Sequence, residues 1–311
     1  MSSWILFAVT GHIMNAIAFI IDKTLLKSTF KQGATYAILI SLLSIIVLFA
    51  APWVHIWPHH ASLLDAAIFG LCQTSALWAF FEALKRGEAS RVVPIVGVLV
   101  ALFTFLGISL TIGETFGVSQ YIGFGLLVIS TGILAWGGVK DKEKRNSMVF
   151  ALAFTSAILF AISSVSGKNA FVGSDFIGVF VASRFYMLVG GLILLLAHKK
   201  ARQEILHMAF PPKKSAKPIG GRAMLFTLIA QSAGAIGFIL VNYAIALGSA
   251  SLVNAMQAVQ YGFIVLVAWF GGKKLRTLLN EPKTPMIIAI KSFAVFLVAF
   301  GLFLISHVSI A

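Results

Sequence analysis

The sequence predicts an all-α membrane protein, with ten transmembrane helices arranged as two inverted five-helix repeats. Three observations carry this. Of 311 residues, 59% are hydrophobic and only 11% charged, where an ordinary soluble domain has about 25% charged. The apolar residues gather into ten runs, and the stretches between them alternate between basic and nearly uncharged. Two short phrases from the first half of the chain recur in the second.

A membrane-spanning helix needs about 20 predominantly apolar residues. Such runs lie at 3–22, 33–53, 62–84, 92–112, 117–138, 147–168, 176–197, 223–246, 250–270 and 286–307. No water-soluble fold of this length hides so much apolar surface, so lipid must be the solvent for most of the chain. The opening text, MSSWILFAVTG, has no basic n-region and no clear small-residue cleavage site close behind it. The first run is therefore expected to be a retained helix, not a secretory signal. The longest hydrophilic stretch is 198–222, HKKARQEILHMAFPPKKSAKPIGGR, whose prolines and lysines predict a loop. The single cysteine, Cys72, excludes an internal disulfide and lies in an apolar run, where it reads as packing.

The net charge of +14 would suggest nucleic acid in a soluble protein. Here 21 of the 24 Lys and Arg residues sit in the loops after the first, third, fifth, seventh and ninth runs. That is a topology signal. It places those loops in the cytoplasm and both termini outside, in a cell membrane. On the opposite side Lys168 stands alone, and Arg184 and Lys291 lie within helices. The expected partners are a small-molecule substrate and membrane lipid, with no nucleic acid; a monomer and a homodimer both remain open.

Residues 15–25, NAIAFIIDKTL, match 160–170, FAISSVSGKNA, at an offset of 145, with Ala16, Ile17 and Lys23 meeting Ala161, Ile162 and Lys168. Residues 82–95, EALKRGEASRVVPI, match 243–256, YAIALGSASLVNAM, at an offset of 161. There Gly87, Ala89, Ser90 and Val92 meet Gly248, Ala250, Ser251 and Val253. The offset grows by 16, about the extra length of the loop after the seventh run over the loop after the second. Together the matches argue for one five-helix unit written twice. Five is odd, so the copies cross the membrane in opposite directions, as in many secondary transporters. The repeat also explains why the first phrase is charged and the second neutral. The first turn falls in the cytoplasm, where basic residues hold it, and the second falls outside, where they would oppose insertion.

The stretch IGETFGVSQYIGFGLLVISTGIL, residues 112–134, has Gly113-Glu114 ending one run, Gln120 and Gly123 starting the next and Gly132 closing it. With the tight GEAS turn before it, the chain resembles the EamA branch of the drug/metabolite transporter superfamily. The resemblance covers essentially the whole chain. It is looser in the second half, where FGGKKLRTLLNE carries no Gly-Glu at the end of the ninth run. It implies ten helices in two EamA-like units, here 1–138 and 147–311, joined by a cytoplasmic linker at 139–146, the second unit carrying the longer loop at 198–222. It also implies export or exchange of small metabolites, amino acids or drugs. Members usually keep both termini in the cytoplasm. The charge count here points the other way, so either the chain is inserted inverted relative to the common arrangement or the helix count differs by one.

Ionisable groups deep in a membrane are functional candidates by default. Arg184, in VFVASRFYML, is roughly the ninth residue of its run, near the midplane. Its planar fork suits a carboxylate or phosphate, and a structural arginine bonded to helix-end carbonyls is the alternative. His12, mid-run with Asn15 a turn away, is the proton-coupling candidate, because no Asp or Glu lies near a run's centre. A neutral histidine bonded to a neighbouring helix is the plainer reading. Lys23 and Lys168 occupy equivalent ends of the first and sixth runs and are candidate gates, unless they simply snorkel.

Further candidates for substrate binding are Gln73, Trp78, Asn242, Tyr243, Asn254, Gln257 and Tyr261, with Gln231 and Gln260 nearby in the same runs. Asn254, Gln257 and Tyr261 recur at i, i+3 and i+7 and share one helix face, which must look inward. Interhelical hydrogen bonding would explain each singly. Pro94 either breaks its helix near a cavity or is a first-turn proline. His55, His59 and His60, in HIWPHH, read as an interfacial loop with tryptophans, so no metal is expected. No P-loop, catalytic triad signature or dinucleotide turn is present, so neither a cofactor nor enzymatic chemistry is expected.

The expected function is a secondary transporter working by alternating access, an exporter or exchanger of amino acids or other anionic or zwitterionic metabolites. The substrate would sit among the first, third, fourth, sixth, eighth and ninth runs. The alternative is a flippase for a lipid-linked sugar or phosphate headgroup, which basic residues at a lateral opening would favour. A membrane enzyme would need a convergent His/Asp/Glu set, and a scaffold would not need Arg184.

Overall fold

The computed structural model describes residues 2–28, 32–87, 89–136, 147–209, 221–279 and 284–306, without the side chains of 22–28, 89–91, 135–136, 208–209, 221–228, 274 and 276–278. The described residues form helices and no strand. In chain order these are α1 (Ser3–Ser28), α2 (Gly33–Leu43), α3 (Ile45–Leu48), α4 (His60–Arg86), α5 (Ala89–Thr111), α6 (Val118–Trp136) and α7 (Ser147–Phe171). Then come α8 (Phe176–Ala197), α9 (Lys199–Ala209), α10 (Gly221–Leu247), α11 (Ala250–Ala255), α12 (Gln257–Phe270), α13 (Gly272–Leu279) and α14 (Pro285–Ser306). A single 3-10 turn covers Ala51–Trp53.

Among the described residues, 8 segments are long and apolar enough to cross a membrane, lying in α1, α4, α5, α7, α8, α10, α11–α12 and α14. Two further apolar segments, Gly33–Leu48 and Val118–Leu134, are shorter. The expected linker at 139–146 lies outside the described residues.

Four expectations need correction. The helix expected over 33–53 is interrupted at Ser44 and stops at Leu48, before the 3-10 turn. Ser41 Oγ bonds back to the Ala37 carbonyl at 2.9 Å, a contact that bends helices, and Pro52 carries no N–H to continue the ladder. The helix expected over 250–270 is broken at Met256, whose carbonyl accepts from Val259 N at 2.9 Å in a tighter, three-residue turn. The stretch 198–222 is not all loop. Its first half is α9, because Ala201 and Ile205, one turn apart, pack into a cluster with Ala34 and Ile38 of α2. Pro94 is the sixth residue of α5 and lies inside the helix, not in its first turn.

Small residues allow the closest helix approaches, which is how helices associate in lipid. The most extensive pairings are α4 with α7 and α1 with α10. A Cβ added to Gly237 of α10 would fall 2.8 Å from the Gly11 carbonyl oxygen of α1, and one at Gly11 would fall 3.0 Å from the Gly237 oxygen. Helices α6 and α14 meet in the same way. A Cβ at Gly123 would lie 2.9 Å from the Gly301 oxygen, and one at Gly301 would lie 3.1 Å from the Gly123 oxygen. Beyond α3 the chain turns back through Phe49, Trp53, Ile56 and Trp57, all exposed, as are His55, His59 and His60.

Candidate functional site

Arg184 is on α8 and is 5% exposed. Asp175 caps the helix from which it projects, accepting from Ile177 N at 3.0 Å and Gly178 N at 3.2 Å. The guanidinium carbon stands 5.2 Å from the Phe69 ring centre of α4, 5.0 Å from Phe180 of its own helix and 4.5 Å from Phe238 of α10. All three lie within the roughly 6 Å reach of a cation–π contact. Its hydrogen bonds go to Ser183 Oγ, at 3.4 Å from both Nε and Nη2, and to Met187 Sδ, at 3.0 Å from Nη1. Among the described residues it has no carboxylate partner and no bond to a helix-end carbonyl.

Two expected site residues adjoin this cage. Gln73 lies one turn beyond Phe69 on α4, and its Oε1 accepts from Ser163 Oγ of α7 at 3.0 Å, while the same hydroxyl bonds the Phe69 carbonyl at 3.0 Å. Tyr243 packs edge-on against Phe176 at 5.1 Å, and Phe176 stacks on Phe180 at 5.5 Å, linking the tyrosine to the cage. Asn242 turns to its own helix, donating to the Phe238 carbonyl at 2.8 Å.

A second polar group gathers where the helix breaks between α11 and α12. His12 of α1 is buried, and its Nε2 lies 2.9 Å from the Val253 carbonyl. A carbonyl only accepts, so Nε2 carries the proton. Nδ1 is buried, with no partner at full hydrogen-bond geometry among the described residues, and the Gln260 side chain interacts with the ring. Asn254 donates to Thr104 Oγ1 of α5 at 3.0 Å, and the Tyr261 hydroxyl donates to the Val93 carbonyl at 3.0 Å, next to Pro94. A Cβ at Gly97 would lie 2.6 Å from the Tyr261 hydroxyl and 3.2 Å from Gln257 Oε1. The expected polar face therefore looks inward, onto α5.

The remaining candidates lie apart. Trp78 sits among Ala34, Ile38 and Leu194, its ring 5.2 Å from that of His198, away from the Arg184 cage. Gln231 donates to the Tyr36 hydroxyl at 2.9 Å. Lys168 binds the end of α10, with Nζ 3.1 Å from the Ile245 carbonyl and 2.6 Å from that of Gly248. Beside it Ser249 caps α11 and donates to Glu114 Oε2 at 2.7 Å. The side chain of Lys23 lies outside the described residues. No group of three His, Cys, Asp or Glu among the described residues could hold a metal ion. The three cage phenylalanines, Glu114 and Ser249 were not anticipated from the sequence, and neither was the burial of Lys291, 2% exposed on α14.

Residues 2–136 match the model of the EamA-like transporter family. This first part of the chain is similar to that family, the EamA branch of the drug/metabolite transporter superfamily. The match and the 8 apolar segments of membrane-spanning length among the described residues support an integral membrane protein similar to transporters of small solutes. The fold is matched across the chain by a solved structure described only as "Crystal structure of protein". That structure is 15% identical, with 99% of each chain covered and a TM-score of 0.69, which speaks for the fold alone. No curated protein matches the sequence.

Proposed function

We propose that this protein is an EamA-type secondary transporter that exports or exchanges small anionic or zwitterionic metabolites, amino acids among them. In this reading two inverted five-helix units, 1–138 and 147–311, rock about a mid-membrane site with Arg184 as anion clamp. The observation that carries it is the buried Arg184, whose guanidinium meets three aromatic rings and no carboxylate among the described residues. A charge near a bilayer's centre that serves only structure would be expected to have a carboxylate or several carbonyls as partners.

The packing supports a ten-crossing, inverted arrangement. If the units are equivalent, α1 corresponds to α7 and α4 to α10, so the two most extensive pairings, α4 with α7 and α10 with α1, are one interface made twice. The pairs α2 with α8, α5 with α11 and α6 with α14 each join one helix to its own counterpart, as a two-fold axis requires. The two repeated phrases also meet physically, because Lys168 from one bonds the Gly248 carbonyl from the other. The 16 residues of Gly33–Leu48 count as a crossing here, although at 1.5 Å per residue they span only about 24 Å.

His12 is the proton-coupling candidate in this reading, since it is buried in α1 against the break between α11 and α12, with its Nε2 on the Val253 carbonyl. Lys168 is a candidate gate through its hold on α10, and both termini are placed outside. The lateral cleft between α3, α4 and α8, of about 240 Å³, is lined by Leu48, Ala51, Trp57, Leu63, Val181, Ala182, Phe185 and Tyr186. None of these is basic, so nothing there favours the flippase reading.

The test is transport by proteoliposomes loaded with a metabolite mixture. Arg184→Gln is expected to insert normally and to lose at least tenfold in efflux of every anionic or zwitterionic substrate. Efflux equal to wild type would remove Arg184 from the site.

A further inference from the structure

The surroundings of Arg184 also constrain the shape of the anion. A guanidinium carries five N–H donors. Inside the protein these donors meet one hydroxyl, at 3.4 Å, and one thioether sulfur, at 3.0 Å. A hydroxyl at that distance and a sulfur are both weak acceptors. The donors are thus largely unused on a side chain that is 5% exposed. Three phenylalanine rings surround the guanidinium. Phe238 and Phe180 of the cage are 6.1 Å apart, and the rings continue outward, with Phe171 6.2 Å from Phe69 and Phe176 5.5 Å from Phe180.

We propose that the site selects monocarboxylates with an apolar, preferably aromatic, body, and discriminates against polyhydroxylated anions and sugar phosphates. The inference rests on the anion-clamp reading above and narrows it. A carboxylate accepts two parallel N–H bonds from the guanidinium. An aromatic body then meets the cage rings edge-on or offset, contacts that are favourable beyond simple burial. A hydroxylated body must shed its water and finds only the Ser183 hydroxyl among the residues that touch Arg184. Each hydroxyl left without a partner costs about tenfold in affinity. A phosphate dianion brings a second negative charge, and among the described residues no second base is in contact with this cage to balance it.

The experiment is thermal unfolding of the full-length protein in detergent, titrated with benzoate, phenylacetate, gluconate and glucose 6-phosphate. A ligand that binds only the folded state raises the midpoint by mass action. Wild type, Arg184→Gln and Phe180→Ser are compared. Benzoate and phenylacetate are expected to act on wild type at concentrations at least tenfold below gluconate and glucose 6-phosphate. Arg184→Gln should abolish the shift. Phe180→Ser, which adds room and a hydroxyl, should narrow the gap between the two classes.

If gluconate or glucose 6-phosphate acts as well as benzoate, and does so only when Arg184 is present, the selectivity is overturned and the anion clamp stands. If no anion's effect depends on Arg184, or none acts on wild type, both fail. Should Arg184→Gln not elute as folded protein, the wild-type concentration ratio and its change in Phe180→Ser decide the matter.

Discussion

Arg184 shows how one residue can hold a charge where lipid opposes it. Placing an arginine at a helix centre costs about 2.5–3.5 kcal/mol on insertion scales. A desolvated cation–π contact returns up to about 2 kcal/mol, and Arg184 has three rings within 5.2 Å. Contacts of that size from two or three rings offset the insertion cost, so the guanidinium can stay charged there. Phe238, the nearest ring, should therefore be coupled to it. Phe238→Leu is expected to lower stability by about 1–2 kcal/mol more in the wild-type background than in Arg184→Gln. Denaturation of the four proteins of that cycle measures the difference, and additive effects would mean that the ring only fills space. His12 presents a different residue-scale problem. Glutamine in its place can still donate to the Val253 carbonyl but cannot take up a proton. His12→Gln is expected to remain folded and to lose any acceleration of efflux by an imposed pH gradient. An undiminished response in proteoliposomes would assign coupling elsewhere.

At the scale of elements, close packing and interruption divide the work. The α1–α10 and α6–α14 contacts depend on paired glycines that leave no room for a side chain. Gly237→Leu places carbon against the Gly11 backbone and is expected to cost more than about 2 kcal/mol. Poor recovery and a lowered unfolding midpoint would report it, while Gly125→Leu, where a Cβ meets nothing within 4 Å, serves as the neutral control. The interruption at Met256 works the opposite way, because it frees local backbone for contact with other helices. Hydropathy made every long apolar run legible but could not reveal the breaks. Met256 is a good helix former, and what favours the break comes from other elements, His12 on α1 and Thr104 on α5. The helix α9 was legible and passed over. Its spacing of Ala201 and Ile205 was hidden by Pro211 and Pro212 further along the same hydrophilic stretch. Arg184 stood out as a charge in apolar text, whereas Phe69, Phe180 and Phe238 are 3 among 27 phenylalanines and carry no local signal. Only tertiary packing tells them apart.

At the scale of the whole molecule, the charge bias and the proposed two-fold arrangement make one joint prediction. A C-terminal reporter active only outside the cytoplasm should be active when fused to Ala311, and a reporter fused in the 139–146 segment should be silent. The reverse pattern would invert the molecule in its membrane without altering the helix packing, since that packing contains no reference to either side. The turn after α3 supplies an independent marker of sidedness. Trp53 and Trp57 are 69% and 52% exposed, whereas Trp4 is buried at 4%. Exposed indoles at a helix end rest at the level of the lipid headgroups. Their fluorescence should be quenched by brominated lipids confined to one leaflet and spared by the same lipids confined to the other. With the other four of its 6 tryptophans replaced by phenylalanine, the protein thus carries its own optical depth gauge, read without a fusion or a label.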